Sequence, residues 1–509
     1  MFDANRDGLT LGIVGTGLMG RGIAQIAAQG GVTVRLFDSR AGAAGEARDA
    51  VAEMLAKLAA KGKMSTADAQ AATARLMVAA SLQELAGCDV VVEAIVENLD
   101  AKRALFRDLE DVVGGDCVLA TNTSSLSVTA IAAACRRPER VGGFHFFSPV
   151  PLMKVVEVID GVRGDRAVGD ALVALARRMG HTPVRAADTP GFIVNHAGRA
   201  YLTEALRVLG EGVTDFATLD RILRGAADFR MGPCELLDLT GLDVSHPVME
   251  SIYDQYYQEP RFRPSPITRQ RLAAGLLGRK SGRGFYAYAD GRAEPVAPPA
   301  VPTAAATAAT PLWISARNAD AHARVVTLLD AQDAIVDRGR RPADNSVCVV
   351  LPVGADATGA ALAEGLDPAR TLALDPLFLG GHLTLMTNPL TAPAARDAAW
   401  AAFAAAGMPV SVIRDSAGFV AQRVVAMIVN IGCDIAQQRI ATPEDIDCAV
   451  TLGLGYPRGP LAMGDALGAA TVLAILDALH DFYRDPRYRP SPWLVRRARL
   501  GVSLLTPEN

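Results

Sequence analysis

Long apolar runs are missing from this 509-residue chain: no stretch reaches the ~18–20 uncharged residues that a membrane-spanning helix needs, so no membrane contact is expected. The opening M-F-D-A-N-R-D-G has no basic segment followed by an apolar one, so no secretory leader is expected either. Runs of positive charge are also missing. Fifty-one Lys+Arg stand against 55 Asp+Glu, a formal net charge of −4, which argues against nucleic acid as the main partner. Cysteine is sparse. Cys88, Cys117, Cys135, Cys234, Cys348, Cys433 and Cys448 are odd in number, scattered and without a C-x-x-C. That is the usage of a reducing, cytoplasmic compartment without a thiolate metal site. The seven histidines contain no H-x-x-x-H or H-E-x-x-H, so no catalytic metal is expected.

What is present is ample material for buried cores. Half of the residues are hydrophobic, and the length suggests roughly three or four domains. The first is announced by residues 9–38. An apolar strand, Leu11–Val14, runs into Gly15-x-Gly17-x-x-Gly20, a helix, a Gly-Gly stop, and a second strand ending at Asp38. In this order Gly15 makes the tight turn, Gly17 lets a pyrophosphate approach the backbone, and Gly20 permits close helix–strand packing. The helix then offers its free N–H groups to the phosphates. Asp38 is placed to accept from both ribose hydroxyls and to repel a 2′-phosphate, so NAD is expected rather than NADP, with Arg40 nearby as the one opposing charge.

A long helical region is expected over about Gly42–Leu85, with Lys57, Lys61 and Lys63 either a solvated face or a landing site for an anionic ligand. A strand over Asp89–Val96 puts Glu97 at its C-terminal end, with Lys102 on the following helix able to pair with it or with a ligand. The strand Val118–Thr121 ends in Asn122-Thr123-Ser124-Ser125, poor packing material but good hydrogen-bonding material. Two further runs, Val141–Phe147 and Lys154–Ile159, flank a Ser-Pro-Val-Pro turn. A hairpin-like return would bring His145 and Glu157 to one sheet edge, which is the pairing a general base needs. An unperturbed imidazole titrates near pH ~6.5. A structural histidine beside a salt-bridged glutamate is the plainer reading. The polar groups at four strand ends on one rim favour catalysis.

These segments, G-T-G-L-M-G-R-G-I-A, V-E-A-I-V-E-N, N-T-S-S-L, H-F-F-S-P-V-P-L-M-K-V-V-E-V and D-T-P-G-F-I-V-N, resemble the 3-hydroxyacyl-CoA dehydrogenase family from Leu9 to about Tyr288. The resemblance implies an α/β Rossmann domain followed by an all-α domain. It also implies an acyl-CoA substrate, catalytic roles for His145, Glu157, Ser124 and Asn195, and NAD contacts at Gly15, Gly17, Leu18, Met19, Gly20, Asp38, Glu97, Lys102 and Asn122. In this reading His145 removes the 3-hydroxyl proton, Glu157 orients the imidazole, and Ser124 and Asn195 hydrogen-bond the developing carbonyl as well as keeping the base aligned. Ser124 and Asn195 would touch substrate; in the ligand-binding alternative for the basic cluster, Lys57 and Lys61 would meet the phosphates of coenzyme A. No metal is implied.

From about Arg185 the pattern turns helical, with Pro190-Gly191 opening a helix through Asn195 to Leu209. The remaining histidines, 181, 196, 246, 322, 382 and 480, have no obvious carboxylate partner, and His196 reads as helix surface. Residues 289–311, rich in Ala, Pro and Thr, read as a linker. Beyond it lies a repeat: a shift of 227 residues sets Pro190-Gly191-Phe192 on Ala417-Gly418-Phe419, Asp220 on Asp447 and Gly232-Pro233 on Gly459-Pro460. R-F-R-P-S-P at 261–266 meets R-Y-R-P-S-P at 487–492. The same shift puts Thr384 on Glu157, Gln422 on Asn195 and Leu372 on His145, and no glycine-rich loop precedes them. The expected domains are therefore a Rossmann domain (1–186), a helical domain (187–288), the linker, a degenerate truncated α/β segment (312–414) and a second helical copy (415–509), with one active site per chain.

The second helical copy is expected to occupy the surface through which the family's helical domain dimerises, giving a monomer by internal pseudo-dimer, or else a homodimer. Two-copy chains resemble those of bacterial phenylacetate catabolism. That implies oxidation of a short or dicarboxylic acyl group, 3-hydroxybutyryl-CoA or 3-hydroxyadipyl-CoA. The alternatives are a β-hydroxyacid dehydrogenase, which shares the glycine-rich start but relies on a lysine, and a non-catalytic NAD- or acyl-CoA-binding relative.

Overall fold

The computed structural model describes residues 3–302, 310–331, 334–405 and 407–508. Its first part runs β1 (Thr10–Val14), α1 (Leu18–Gln29), β2 (Thr33–Phe37), α2 (Ala43–Ala60), α3 (Thr66–Ala74), β3 (Leu76–Val78), β4 (Val90–Glu93), α4 (Leu99–Val112), β5 (Val118–Thr121), α5 (Val128–Ala132), β6 (Val141–Phe146), β7 (Val155–Asp160), α6 (Arg166–Arg178) and β8 (Thr182–Ala187). Helices α7 (Val194–Gly210), α8 (Phe216–Ala226), α9 (Pro233–Thr240), α10 (Leu242–Gln255) and α11 (Pro266–Ala273) follow. A short hairpin, β9 (Tyr288–Ala289) and β10 (Arg292–Ala293), leads to β11 (Leu312–Ile314), α12 (Ala319–Asp330), β12 (Val336–Asp337), β13 (Val347–Val350), α13 (Ala357–Ala363), β14 (Thr371–Leu374), β15 (Leu383–Thr387), α14 (Pro393–Ala404) and β16 (Val410–Ile413). The chain ends in α15 (Ala421–Gln437), α16 (Pro443–Leu454), α17 (Pro460–Leu467), α18 (Ala469–Tyr483) and α19 (Pro492–Leu500). Among the described residues no single helix is long and apolar enough to cross a membrane.

The chain divides into two compact units, one of residues up to His196 with Ile435–Gly455, the other of Ala197–Asp434 with Tyr456–Glu508. The first is built on an eight-stranded sheet in the order β3-β2-β1-β4-β5-β6-β7-β8. All neighbours are parallel except β6 and β7. Strands β4, β5 and β6 are buried throughout, as expected of a sheet covered by helices on both faces. The order reverses between β1 and β4. That switch point opens a crevice at the C-terminal strand ends, where α/β sheets bind ligands.

Three expectations are corrected in this unit. The helical region over Gly42–Leu85 breaks after α3, and Leu76–Val78 becomes an edge strand with Leu76 beside Val34 of β2. Its alanine-rich neighbourhood reads as helix by propensity, but the open edge of β2 offers hydrogen bonds that no local periodicity reveals. The strand expected over Asp89–Val96 ends at Glu93, because that carboxylate accepts from the Ile95 N–H at 2.7 Å and turns the chain. His196, expected on a surface, is fully buried within a helix start that includes Phe192, Ile193 and Val194.

The second unit holds α8–α11 and α17–α19 beside a six-stranded sheet ordered β12-β11-β13-β14-β15-β16, parallel except between β14 and β15. The turn after β11, Ser315-Ala316-Arg317-Asn318, carries no glycine, and the Asn318 side chain caps α12. Cross-strand pairing here does not follow the constant shift of 227. Leu372 faces Thr387 and Leu374 faces Leu385, so Asp375, whose N–H donates to the Thr384 carbonyl at 3.0 Å, stands opposite Thr384. The first residues of the expected linker form the β9–β10 hairpin, and its residues 303–309 lie outside the described residues. His246 does have a carboxylate neighbour, Glu250, one helical turn away at 3.3 Å.

Candidate active site

The glycine-rich turn follows β1 at the switch point. Gly15 has φ +93°, and a Cβ there would lie 2.5 Å from the Ala94 carbonyl oxygen, so both backbone angle and space demand glycine. A Cβ on Gly20 would lie 1.9 Å from the Gly15 carbonyl oxygen, which is how tightly α1 closes on the turn. Gly17 has nothing within 4 Å of its absent Cβ and carries no side chain to cap α1. The first N–H groups of α1 therefore face an open cradle, which fits the pyrophosphate of a dinucleotide. Leu18 is 65% exposed at this cradle, while Met19 packs partly against the sheet's core.

Asp38 ends β2 beside it. Its Oδ2 accepts from the Thr16 N–H (2.7 Å) and hydroxyl (2.8 Å), and Oδ1 from the Arg40 N–H (3.0 Å). Burial alone would raise this carboxyl, but those bonds and the Arg40 charge outweigh it and hold it below the ordinary range. The fixed anion fits ribose hydroxyls and opposes a 2′-phosphate. Arg40 is drawn away to Glu46, at 2.6 Å.

The rim beyond β4 and β5 is organised by two glutamates. Glu93, fully buried, receives the Lys102 ammonium at 2.5 Å and the Thr121 hydroxyl at 2.7 Å. Glu97 sees the same lysine at 3.3 Å. Lys102, expected from the sequence to pair with Glu97 or with a ligand, does meet Glu97 but lies closer to Glu93. Glu93 is missed in the sequence because a strand expected over Asp89–Val96 ends three residues too late; the two glutamates of V-E-A-I-V-E-N are the available signal. Glu97 Oε1 gathers the Ser124 and Ser125 N–H groups (2.8 and 3.0 Å) and the hydroxyls of Thr123, Ser124 and Ser125 (2.7, 3.2 and 3.0 Å). Burial raises its carboxyl, yet Lys102 and these donors prevail and lower it. The Ser124 hydroxyl makes the longest of the five contacts and is the one most easily exchanged for a ligand. Asn122 accepts from the Phe146 N–H through Oδ1 at 2.9 Å and so ties the end of β5 to β6.

His145 and Glu157 are direct cross-strand partners in the antiparallel β6–β7 pair. Because side chains alternate along a strand, directly opposed residues share a face. His145 Nδ1 lies 2.6 Å from Glu157 Oε2, with Glu157 fully buried and His145 nearly so. The other oxygen, Oε1, accepts from the Ile193 and Val194 N–H groups at 2.9 and 2.8 Å, at the start of α7. That start is set by Gly191 (φ +77°) and Phe192 (φ +48°), which turn the chain onto the carboxylate. With Nδ1 taken up by Glu157, Nε2 is the imidazole nitrogen left to exchange a proton with a ligand. Asn195, in the first turn of α7, donates to the Ser124 carbonyl at 3.4 Å, so the four residues singled out in the sequence form one contiguous group. Lys57 and Lys61 are exposed near the C-terminal end of α2, with Lys57 paired to Glu53 at 2.6 Å. Among the described residues no His, Cys, Asp or Glu cluster could hold a metal.

Comparison with known proteins gives the family. The NAD-binding domain of 3-hydroxyacyl-CoA dehydrogenase matches residues 10–189, and the C-terminal domain of the same family matches 191–288 and again 418–503. The chain is 37% identical to a 3-hydroxyadipyl-CoA dehydrogenase of Escherichia coli K12 over 96% of this chain and 98% of that one. A crystal structure of 3-hydroxybutyryl-CoA dehydrogenase from Escherichia coli K12 superposes with a TM-score of 0.85 at 35% identity, covering 97% of this chain and 99% of that one. An (S)-3-hydroxybutyryl-CoA dehydrogenase from Ralstonia eutropha, 38% identical, covers 55% of this chain and 99% of its own length with a TM-score of 0.54. With likeness of this degree held along nearly the whole of both chains, the protein belongs to the 3-hydroxyacyl-CoA dehydrogenase family and is an NAD-dependent enzyme.

Proposed function

We propose that the chain oxidises (3S)-3-hydroxyacyl-CoA to 3-ketoacyl-CoA, reversibly, on short or dicarboxylic acyl groups in fatty-acid or aromatic catabolism. The observation that carries the reading is the buried 2.6 Å contact between His145 and Glu157 on the rim that bears the nucleotide turn. His145 Nε2 takes the proton of the 3-hydroxyl. When bound, NAD supplies the acceptor for the hydride that leaves C3. Glu157 keeps the proton of the neutral ring on Nδ1 and stabilises the imidazolium as it forms. Ser124 exchanges its contact with Glu97 for one to the reacting oxygen, and Asn195 holds that oxygen from the α7 side. Gly15, Gly17, Leu18, Met19 and Gly20 cradle the cofactor's phosphates, Asp38 binds its ribose, and Glu97, Lys102 and Asn122 shape the rim. Lys57 and Lys61 are the proposed landing point for coenzyme A phosphates.

The names of the two E. coli relatives supply the candidate acyl groups, adipyl and butyryl. The test is NADH oxidation with acetoacetyl-CoA and with a dicarboxylic 3-ketoacyl-CoA. Turnover of either supports the reaction, and the higher kcat/KM assigns the acyl class. Binding of NADH with turnover of neither would return the chain to a binding role.

The same reading takes the chain as a duplication with the domain limits given by the sequence: 1–186, 187–288, linker 289–311, 312–414 and 415–509. Several paired details support it. Asp188 accepts from the Val128 and Thr129 N–H groups at the start of α5, and Asp415 from those of Ala357 and Thr358 at the start of α13. Gly191-Phe192 and Gly418-Phe419 share positive φ, near 77° and 48° in one and 74° and 51° in the other. Each unit also takes a segment from the other copy. The Ala187 N–H donates to the Ile440 carbonyl in the first unit, and the Arg414 N–H to the Val213 carbonyl in the second, at 2.8 and 2.9 Å. Both donors and both acceptors are related by the shift of 227. A chain that satisfies its own exchange in this way acts as an internal pseudo-dimer. A light-scattering mass near 53.4 kDa supports that, and twice that mass would mean a homodimer. The free, scattered cysteines support a cytoplasmic setting.

A further inference from the structure

The second unit contains a cavity of about 1320 Å³ that the dehydrogenase reaction does not use. It lies between the turn and helix around α8, the segment Pro298–Val301, α14 and the β15–β16 edge. Its charge is one-sided. Arg221, Arg224, Arg230, Arg396 and Arg414 line it against a single carboxylate, Asp215, whose oxygens already cap α8 through the Thr218 N–H (2.9 Å) and hydroxyl (2.7 Å).

The arginines differ in their ties. Arg224 reaches Glu235 at 3.0 Å, Arg396 reaches Asp397 at 2.8 Å, and Arg221 bonds the Thr218 hydroxyl at 2.7 Å. The side chains of Arg230 and Arg414 are exposed and make no ion pair with any described residue. His382, buried against Gly225 and 2.9 Å from the Ser411 hydroxyl, lies in the wall as a neutral ring, since burial and the Arg221 charge push its imidazole down to about 4. Trp400 and three further apolar residues, Pro298, Pro299 and Pro409, provide flat surface beside the cations.

Guanidinium groups match phosphate geometry and hold their charge at every physiological pH. A cavity of this size exceeds the roughly 300–1,000 Å³ of ordinary small-ligand sites, so a single phosphate would leave most of it empty. We propose that it binds an adenine nucleotide carrying a pyrophosphate, with the phosphates on Arg221, Arg230 and Arg414 and the base against Trp400 and the prolines. The site is separate from the Gly15 turn. Free ADP and coenzyme A both present this chemistry, the latter with a 3′-phosphate in addition.

The test is calorimetric titration of the full chain, saturated with NAD, with ADP and with coenzyme A. Wild type is compared with Arg230→Gln/Arg414→Gln and, as an independent variant, with Arg414→Gln alone. The expected result is one equivalent of ADP beyond NAD and, for coenzyme A, one equivalent beyond that taken by the catalytic site, this added binding being weakened at least 10-fold in the double variant and weakened by salt. KM for acetoacetyl-CoA and kcat without added nucleotide should be unchanged. Added binding of ADP and coenzyme A alike assigns the pyrophosphate and base, and a second equivalent of coenzyme A without binding of ADP adds the 3′-phosphate. No binding of ADP and no second equivalent of coenzyme A at millimolar concentration, or equal added binding in wild type and variants of unaltered melting temperature, would overturn the proposal.

Discussion

Replacing Glu157 with Gln changes no volume but reverses one hydrogen bond. The side chain now has one oxygen and one NH2 where it had two oxygens. The Ile193 and Val194 N–H groups, at 2.9 and 2.8 Å, need an acceptor, so the amide oxygen must face them. The NH2 is then left 2.6 Å from His145 Nδ1 and donates to it. Nδ1 must present its lone pair, the ring proton moves to Nε2, and the nitrogen proposed to take the hydroxyl proton becomes a donor. Inverting the tautomer in this way costs about 10⁴ in kcat in hydrolases built on a similar His–carboxylate pair, or about 5.5 kcal/mol of barrier. The assay is steady-state NADH oxidation with acetoacetyl-CoA, with NADH affinity followed by fluorescence. A loss of that size in kcat with NADH affinity intact is expected. A variant that folds, binds NADH and turns over within about 10-fold of wild type would show that Glu157 does not set the tautomer.

Three further outcomes follow from contacts elsewhere. Gly20→Ala puts a Cβ 1.9 Å from the Gly15 carbonyl oxygen, and opening the turn at about 1–3 kcal/mol should weaken NADH binding by roughly 5–150-fold; unchanged affinity would mean the turn yields freely. Lys102→Met leaves the fully buried Glu93 without its cation, so urea unfolding should show a loss of about 3–5 kcal/mol, with most of it regained in Glu93→Gln/Lys102→Met. No recovery in the double variant would point to lost packing instead.

The third concerns Asp375, whose Oδ1 accepts from Gln422 at 2.9 Å while Oδ2 has no partner among the described residues. Burial pushes its carboxyl up to about 6, against ~3.9 in an unfolded chain. The folded state therefore holds the proton longer, and wild type loses stability as pH rises from about 4 to 6. Asp375→Asn should match wild type near pH ~4 and exceed it at pH 7 by up to about 3 kcal/mol. Melting curves that stay parallel across this range would refute the titration.

The parts legible in the sequence are those whose partners lie close along the chain or repeat a spacing that physics demands. Gly15, Gly17 and Gly20 with Asp38 describe one strand–turn–helix–strand unit, and His145 and Glu157 lie on adjacent strands of one hairpin. Tertiary structure decided the rest. Whether Lys102 meets Glu93 or Glu97 depended on where β4 stopped, which the Glu93 carboxylate settles by bonding the next turn. The edge strand β3 exists because β2 had an open side, and His196 is buried because the start of α7 is enclosed. Counting by a constant shift sets Leu372 on His145 and Thr384 on Glu157, but Leu372 faces Thr387, so the count does not carry the cross-strand pairing of β6 and β7 into β14 and β15. A linear sequence records how many residues separate two side chains. Which of them face each other is set by backbone hydrogen bonds across strands, and those form only when the whole sheet does.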